Sequence, residues 1–464
     1  MQLTPALVLV TSQFVEIVQN TNRAVIWHSL FGRPKFVSLD TLELLRVFEK
    51  PHSIKKFLSE YDIGKDGEAT IRNLVEDYFL IPANFEEREF LENITKDREG
   101  VITDGSLVDR LELIMSEECN FRCIYCIHFC NLGTSNRINS LNKFMTFEVA
   151  KKTIDEYIRI LKQHGKKNAK IGFCGGEPLL VWPVIERIVN YYRANYESAI
   201  PCSFSIVSNS SLITREIAAK LNRYNISVAS SLDGLGNVND SVRTTKSGKG
   251  TFEAIINGLD NLKECEITAD VAITVTEQNF AQIDEQIIDW AAARGMDHLR
   301  ISPDVINLVS VPIDKIVVWL IRLRKYGKKV GVNITGCWNR AFGNFNYSAL
   351  DGLTAFCNPS CGTGISVNPA GYIYGCCYST NMLGNIRQID QLFATDGPYQ
   401  KMVIQHLVGR LDMCKGCMIE GQCIGGCEIT REFVHSSKNL SKMRQNCDLS
   451  RRMTRELFLE QISE

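Results

Sequence analysis

Three cysteines, Cys119, Cys123 and Cys126, stand at the spacing C-x3-C-x2-C. Three thiolates fall one short of the four that a [4Fe–4S] cluster takes. One iron would stay open, as a catalytic metal site requires. A zinc knuckle is the competing reading of three close thiols. A second run lies further on: Cys357, Cys361, Cys376, Cys377, Cys414, Cys417, Cys423, Cys427 and Cys447. Clusters of close thiols are what metal centres need, and this run could serve two cubanes of up to four thiolates each, or two structural zinc sites. The chain has 17 cysteines and none before Cys119. Of the rest, Cys130, Cys174, Cys202, Cys265 and Cys337 are expected mostly as buried small apolar residues. Cys130 and Cys174 lie close in sequence to the motifs and could line a pocket.

These groups need elements to hold them. Apolar strand-like runs at 107–115, 169–173, 203–207, 226–232, 270–276 and 298–302 alternate with helix patterns. Ile154, Tyr157, Ile158 and Leu161 carry the i, i+3, i+4, i+7 spacing of one helix face. Six such units imply a parallel sheet, open or partly closed as a barrel. The first cysteine group falls just past the first strand, and in parallel barrels catalytic groups gather at that edge. Gly175, Gly176 and Glu177, in a GGEP run, lie past the second strand. Ser208 and Asn209 end the third, and Ser231 opens an S-x-D-G run at the end of the fourth, with Arg243 following.

The remainder divides around this region. Residues 1–83 read as short strands at 14–19, 24–29 and 35–38, then short helices. Asp40 is expected to cap the first helix and Ser53 the second. A third, near 68–79, puts Ile71, Leu74, Val75 and Tyr78 on one face. This suggests a small α+β or winged-helix-like module. Residues 84–106 are charged, without a long apolar period, and are expected as a linker. Residues 107–331 form the barrel. Residues 332–464 hold a bridging segment and a Cys- and Gly-rich region, with a final helix from 448 to about 462.

Composition excludes other classes. The 464 residues are 45% hydrophobic, and 52 Lys plus Arg balance 53 Asp plus Glu. That balance gives no argument for nucleic acid or an anionic membrane as partner. The first residues lack a basic stretch and a sufficient apolar core for a secretory signal, and no segment nears the ~20 apolar residues of a membrane span. A cytoplasmic chain is expected, and a reducing compartment keeps these thiols free of disulfides.

The four barrel motifs, in this order, resemble those of radical S-adenosylmethionine enzymes. The resemblance implies a partial (βα)6 TIM-like barrel. It implies that S-adenosylmethionine chelates the open iron of the Cys119, Cys123, Cys126 cluster and yields a 5′-deoxyadenosyl radical. It also implies that the Tyr125 backbone meets the adenine, and that Gly175, Gly176 and Glu177 hold the methionyl amino group. Ser208, Asn209, Ser231 and Arg243 would complete the site, the last two at the ribose and carboxylate. The later cysteines resemble the SPASM pattern, C-x9-G-x4-C, C-x2-C-x5-C-x3-C and a final cysteine. That pattern implies two auxiliary [4Fe–4S] clusters, hence three in all. One would use Cys357, Cys361, Cys376 and Cys427, the other Cys414, Cys417, Cys423 and Cys447. Two departures from the pattern, the short Cys357–Cys361 spacing and the extra Cys377, leave the eighth ligand open between Cys357 and Cys377.

The first region resembles the PqqD-like element that binds leader peptides as an added strand. Together these imply maturation of a ribosomally made precursor peptide, through a thioether or carbon–carbon crosslink. An electron donor such as flavodoxin or ferredoxin is expected as a partner. Two alternatives stand beside it. An anaerobic sulfatase maturase is similar in barrel and SPASM region, but carries an Asp where this chain has Cys377. A non-catalytic iron–sulfur or zinc scaffold would not need the GGEP, S-x-D-G and Arg243 set.

Overall fold

The computed structural model describes residues 4–463 apart from 5, 62–63, 128–141, 305–307, 309 and 438–439. Cys130 therefore lies outside the described residues. Strands β1 (Val8–Thr11), β2 (Val15–Gln19), β3 (Ala24–His28) and β4 (Gly32–Val37) come first. β2, β3 and β4 form an antiparallel sheet in that order, while β1 pairs with two short strands, β5 (His52–Ser53) and β6 (Leu80–Pro82). Helices Leu39–Val47, Ile54–Glu60 and Gly64–Glu76 pack with them around Leu42, Leu45, Phe48, Phe57 and Ile71. Ser53 caps the second helix as expected, but Ser38, not Asp40, caps the first. The Ser38 hydroxyl accepts from the Thr41 N–H, and Asp40 sits in the first turn, where the helix dipole favours its charge. Tyr78 falls beyond the third helix, with φ +63°.

Residues 84–106, expected as a linker, instead form helices Glu87–Asp97 and Glu99–Thr103, with Leu91 and Ile102 buried. The charges that suggested a solvated segment have remote partners. Glu87 is buried against His28 (3.0 Å) and Ser12. Arg88 makes two 2.9 Å bonds to Glu420, and Arg98 donates to the carbonyls of Ala349, Leu350 and Gly352.

Seven strands then pair in parallel, in chain order: β7 (Arg110–Ser116), β8 (Ala169–Gly175), β9 (Cys202–Ser208), β10 (Ile226–Ser231), β11 (Asp270–Val275), β12 (His298–Pro303) and β13 (Asn333–Thr335). The first six are the strands that the apolar runs mark, and β13 adds one. Helix Phe147–Gln163 buries Ile154, Tyr157, Ile158 and Leu161, the face its periodicity specifies. Beyond β7 the sheet continues. β14 (Gly364–Val367) pairs parallel with β7, and β15 (Tyr372–Tyr374) and β16 (Met382–Asn385) follow antiparallel. The cysteine-rich region is thus fastened to the barrel by backbone hydrogen bonds. Its final helix runs Leu440–Ser463, starting earlier than expected and carrying Cys447 within it.

β3 is buried along its whole length because Ala24 and Ile26 pack under the N-terminal helices while the C-terminal region covers Val25 and Trp27. Trp27 stacks on Phe458 (4.8 Å between centroids) and donates its indole N–H to the Met418 carbonyl (2.7 Å). Gly421 sits so close that an added Cβ would lie 2.0 Å from the Leu30 carbonyl oxygen. First and last regions share this core (Val18, Val25, Trp27 with Ile419, Phe458 and Ile462). Among the described residues no helix is long and apolar enough to cross a membrane.

Candidate active site

The loop after β7 carries Cys119, Cys123, Tyr125 and Cys126, and it is held by the loop after β8. Gly176 N–H donates to the Ser116 carbonyl (2.7 Å) and Glu177 N–H to the Glu118 carbonyl (2.9 Å). This docking explains the two glycines. A Cβ on Gly175 would lie 2.3 Å from the Ser116 oxygen, and one on Gly176 2.3 Å from the Glu118 oxygen. Gly175 also sits at φ +130°, which only glycine adopts readily. In this structure the glycines therefore admit a neighbouring backbone.

Glu177 is fully buried, and burial raises its carboxyl above the ordinary range. Three donors oppose that effect. Oε1 accepts from the Leu179 N–H (3.0 Å) and the Ser208 hydroxyl (2.8 Å), and Oε2 accepts from the Asn209 N–H (2.8 Å). A carboxylate has about four acceptor positions, so one remains, on Oε2. Ser208 spends its hydroxyl on Glu177 and on the Ser210 N–H (3.0 Å), so it positions the carboxylate. Asn209 donates to Asn120 (2.9 Å) and lies 3.8 Å from the Cys119 sulfur. The third strand end thus meets the first cysteine.

Arg243 is 6% exposed, and its guanidinium donates to the Tyr125 hydroxyl (2.6 Å) and to Asp233 (3.3 Å). Tyr125 in turn donates to Asp233. Asp233 is fully buried, and its other oxygen accepts from the Thr274 N–H (2.7 Å). The Asp233 N–H and C=O are held by Asn239 and Asn279. Sequence reasoning assigned roles to Ser231 and Arg243 and missed Asp233, Asn239 and Asn279. The available signal was the acid in S-x-D-G: a carboxylate at a barrel strand's end must be paired if it is buried. Ser231 itself ends β10 half-buried.

Burial pushes the Cys119 and Cys123 thiols up, while nearby Arg243 pulls both down. Cys119 also accepts from the Phe121 N–H (3.3 Å). Cys119 feels the charges of Cys126 and Glu177, and Cys123 those of Cys119 and Asp233. Cys119 and Cys123 therefore share one electrostatic neighbourhood with Arg243, and Cys126 lies within reach of Cys119. The Arg243 Nε is buried without a hydrogen-bond partner. An orphaned cationic donor beside Cys119 and Cys123 fits a site that takes an anionic group, such as a carboxylate.

The later cysteines gather in two sets. Cys337, Cys357 and Cys376 lie within electrostatic reach of Cys427, and Cys357 within reach of Cys361. Cys447, Cys414 and Cys417 all act on Cys423. Burial pushes Cys361 up to about 11 and Cys414 and Cys427 to about 12. Cys377 sits between two thiols, hydrogen-bonded to Cys174 of β8 and to Cys376, and lies toward Glu112 of β7. Among the described residues no three Cys, His, Asp or Glu side chains converge tightly enough for a single metal ion.

Residues 113–290 match the model of the radical SAM superfamily. The radical SAM cyclopropyl synthase TigE of Paramaledivibacter caminithermalis is 26% identical over 463 residues, 97% of this chain and 96% of that one. Two solved structures share the fold. The structure of anSMEcpe with bound AdoMet superposes at TM-score 0.60 with 17% identity, covering 76% of this chain and 99% of its own. Streptococcus suis SuiB bound to precursor peptide SuiA gives TM-score 0.51 with 16% identity, covering 91% and 96%.

Proposed function

We propose that this chain, which belongs to the radical SAM superfamily through residues 113–290, is a maturase of a ribosomally made precursor peptide, forming a carbon–carbon bond in it. The observation that carries the proposal is the convergence at the barrel's strand ends. Three thiols, one free acceptor position on Glu177 and the unpaired Nε of buried Arg243 meet there. S-adenosylmethionine, bound at a [4Fe–4S] cluster on Cys119, Cys123 and Cys126, would supply a 5′-deoxyadenosyl radical that takes a hydrogen atom from the peptide.

The chain's own residues do the positioning. Glu177 offers its remaining lone pair to the amino group, and Arg243 offers Nε to the carboxylate. Tyr125 and Asp233 fix that guanidinium so that it need not reorganise on binding. Three donors to Glu177 favour its ionised form against burial, which suits an ammonium partner.

The bond type follows the similarity to TigE, which spans nearly the whole chain. The peptide substrate is supported by SuiB, whose structure holds its precursor SuiA. For leader docking, β4 is an edge strand of its sheet, and its outer half is exposed, with Phe36 58% exposed. An open edge can accept an added strand. We further assign Cys357, Cys361, Cys376 and Cys427 to one auxiliary [4Fe–4S] cluster and Cys414, Cys417, Cys423 and Cys447 to the other. Cys357 lies within electrostatic reach of Cys361, Cys376 and Cys427, whereas Cys377 contacts Cys376 and Cys174, which favours Cys357 as the eighth ligand.

Anaerobically reconstituted protein is incubated with S-adenosylmethionine, a strong reductant and the peptide encoded beside its gene. Formation of 5′-deoxyadenosine with a peptide lacking two hydrogens supports the proposal. Unchanged mass with deuterium uptake would replace it with epimerisation, and formylglycine on a sulfatase peptide with sulfatase maturation. No 5′-deoxyadenosine would favour a scaffold.

A further inference from the structure

Cys423 and Cys427 lie four residues apart in the chain but belong to different auxiliary sets. The three residues between them, Ile424, Gly425 and Gly426, all have positive φ (47°, 75° and 74°). Consecutive left-handed residues fold the chain back tightly, and they bring the two sets together at this loop.

Arg431 lies one helical turn past Cys427, its N–H donating to the Cys427 carbonyl (3.2 Å). Its side chain returns over the loop. A Cβ on Gly425 would lie 3.2 Å from Arg431 Nη1 and 3.5 Å from its Cδ. Arg431 is 7% exposed, and its Nε and Nη2 have no hydrogen-bond partner. Its charge acts on Cys414 of one set, and on His406 and Glu428 beside the other. Nearby Glu432 is engaged with Ser379, Thr380 and Asn381. Glu428 is a carboxylate within electrostatic reach of Arg431, yet Nε and Nη2 bond to no group, and a buried guanidinium with two idle donors is costly unless further negative charge lies close by.

We infer that Arg431 is the shared counter-charge of the two auxiliary clusters and raises the reduction potential of both. The inference rests on the assignment of eight thiolates to two clusters made above. A cubane with four thiolates is anionic and gains one more negative charge on reduction. A cation held nearby in a dry site favours the reduced form. Its side chain, folded over the connecting loop, lies between the two thiol sets and so acts on both clusters.

The test uses the full chain, reconstituted anaerobically, as native protein and as Arg431→Met, Arg431→Gln and Arg431→Lys. Iron and sulfide are counted, and each cluster is titrated against potential by electron paramagnetic resonance. Roughly four irons in native protein, rather than roughly twelve, would remove the two-cluster assignment itself. With all three clusters present, the Met variant should shift the reduction equilibrium of both auxiliary clusters at least tenfold toward the oxidised form, about 59 mV for one electron. The Lys variant should stay near native, and the Cys119 cluster should not move. Auxiliary midpoints unchanged in Met, a shift in one cluster alone, or a Lys variant shifted like Met would each overturn the inference. Loss of auxiliary iron from both neutral variants but not from Lys supports the charge. Loss from all three assigns Arg431 to packing and overturns it.

Discussion

Asp233→Asn tests whether the buried Asp233, Tyr125 and Arg243 group is held by charge. Asp233 has no exposed surface; one oxygen accepts from Arg243 and Tyr125, the other from the Thr274 N–H. An amide turns one of these acceptors into a donor. Whichever way it is placed, a buried donor then faces another donor, at about 1–3 kcal/mol. Arg243, itself 6% exposed, also loses the carboxylate it is paired with. Removing one partner of a buried pair costs about 3–5 kcal/mol in all. Arg243→Met should cost a similar amount, since it strands the charge of Asp233. The double variant buries no net charge and should recover at least about 1 kcal/mol of the summed loss. Urea unfolding, followed through Trp182, Trp290 and Trp319 of the barrel, measures all three against native protein. Single losses below about 1 kcal/mol, or additivity within about 0.5 kcal/mol, would refute the argument.

Gly421→Ala drives a methyl into the Leu30 carbonyl, so it should cost about 1–3 kcal/mol and raise hydrogen exchange at Trp27 and Gly421, while the barrel keeps its protection. Unchanged exchange in β3 would remove the proposed docking. His406 is held near pH 4, chiefly by burial, so it binds its proton far less readily folded than unfolded. Its contribution to stability is therefore lost as pH falls from about 6.5 toward 4. Relative to His406→Gln, native protein should gain about 2 kcal/mol between pH 5 and 7, and parallel curves would contradict this. Cys377→Ser should keep the native iron content, whereas Cys357→Ser should lose roughly four irons of roughly twelve, and the reverse pattern would make Cys377 the ligand.

The strands of the barrel were legible because each is a local apolar run bounded by turn residues, and the cysteine motifs because a cluster needs specific atoms at short spacing. The segment 84–106 was not. Its charges look solvated until Arg88 meets Glu420 and Arg98 meets the carbonyls of 349–352, partners more than 250 positions away. Asp233 was overlooked for a related reason. Its importance lies in complete burial beside Arg243, and burial is a property of packing.

By itself, the sequence determined which atoms are available: three thiols after the first strand, a Gly-Gly-Glu turn after the second, and eight or nine thiols downstream. Those are local facts, set by residue type and spacing. Tertiary structure alone decided how they are used. It turned the two glycines toward a neighbouring backbone, left one acceptor position on Glu177, set Cys377 between Cys174 and Cys376 and folded Arg431 over the loop between two thiol sets. Each of these depends on desolvation and on contacts between segments far apart in the chain, and both appear only when the chain is packed.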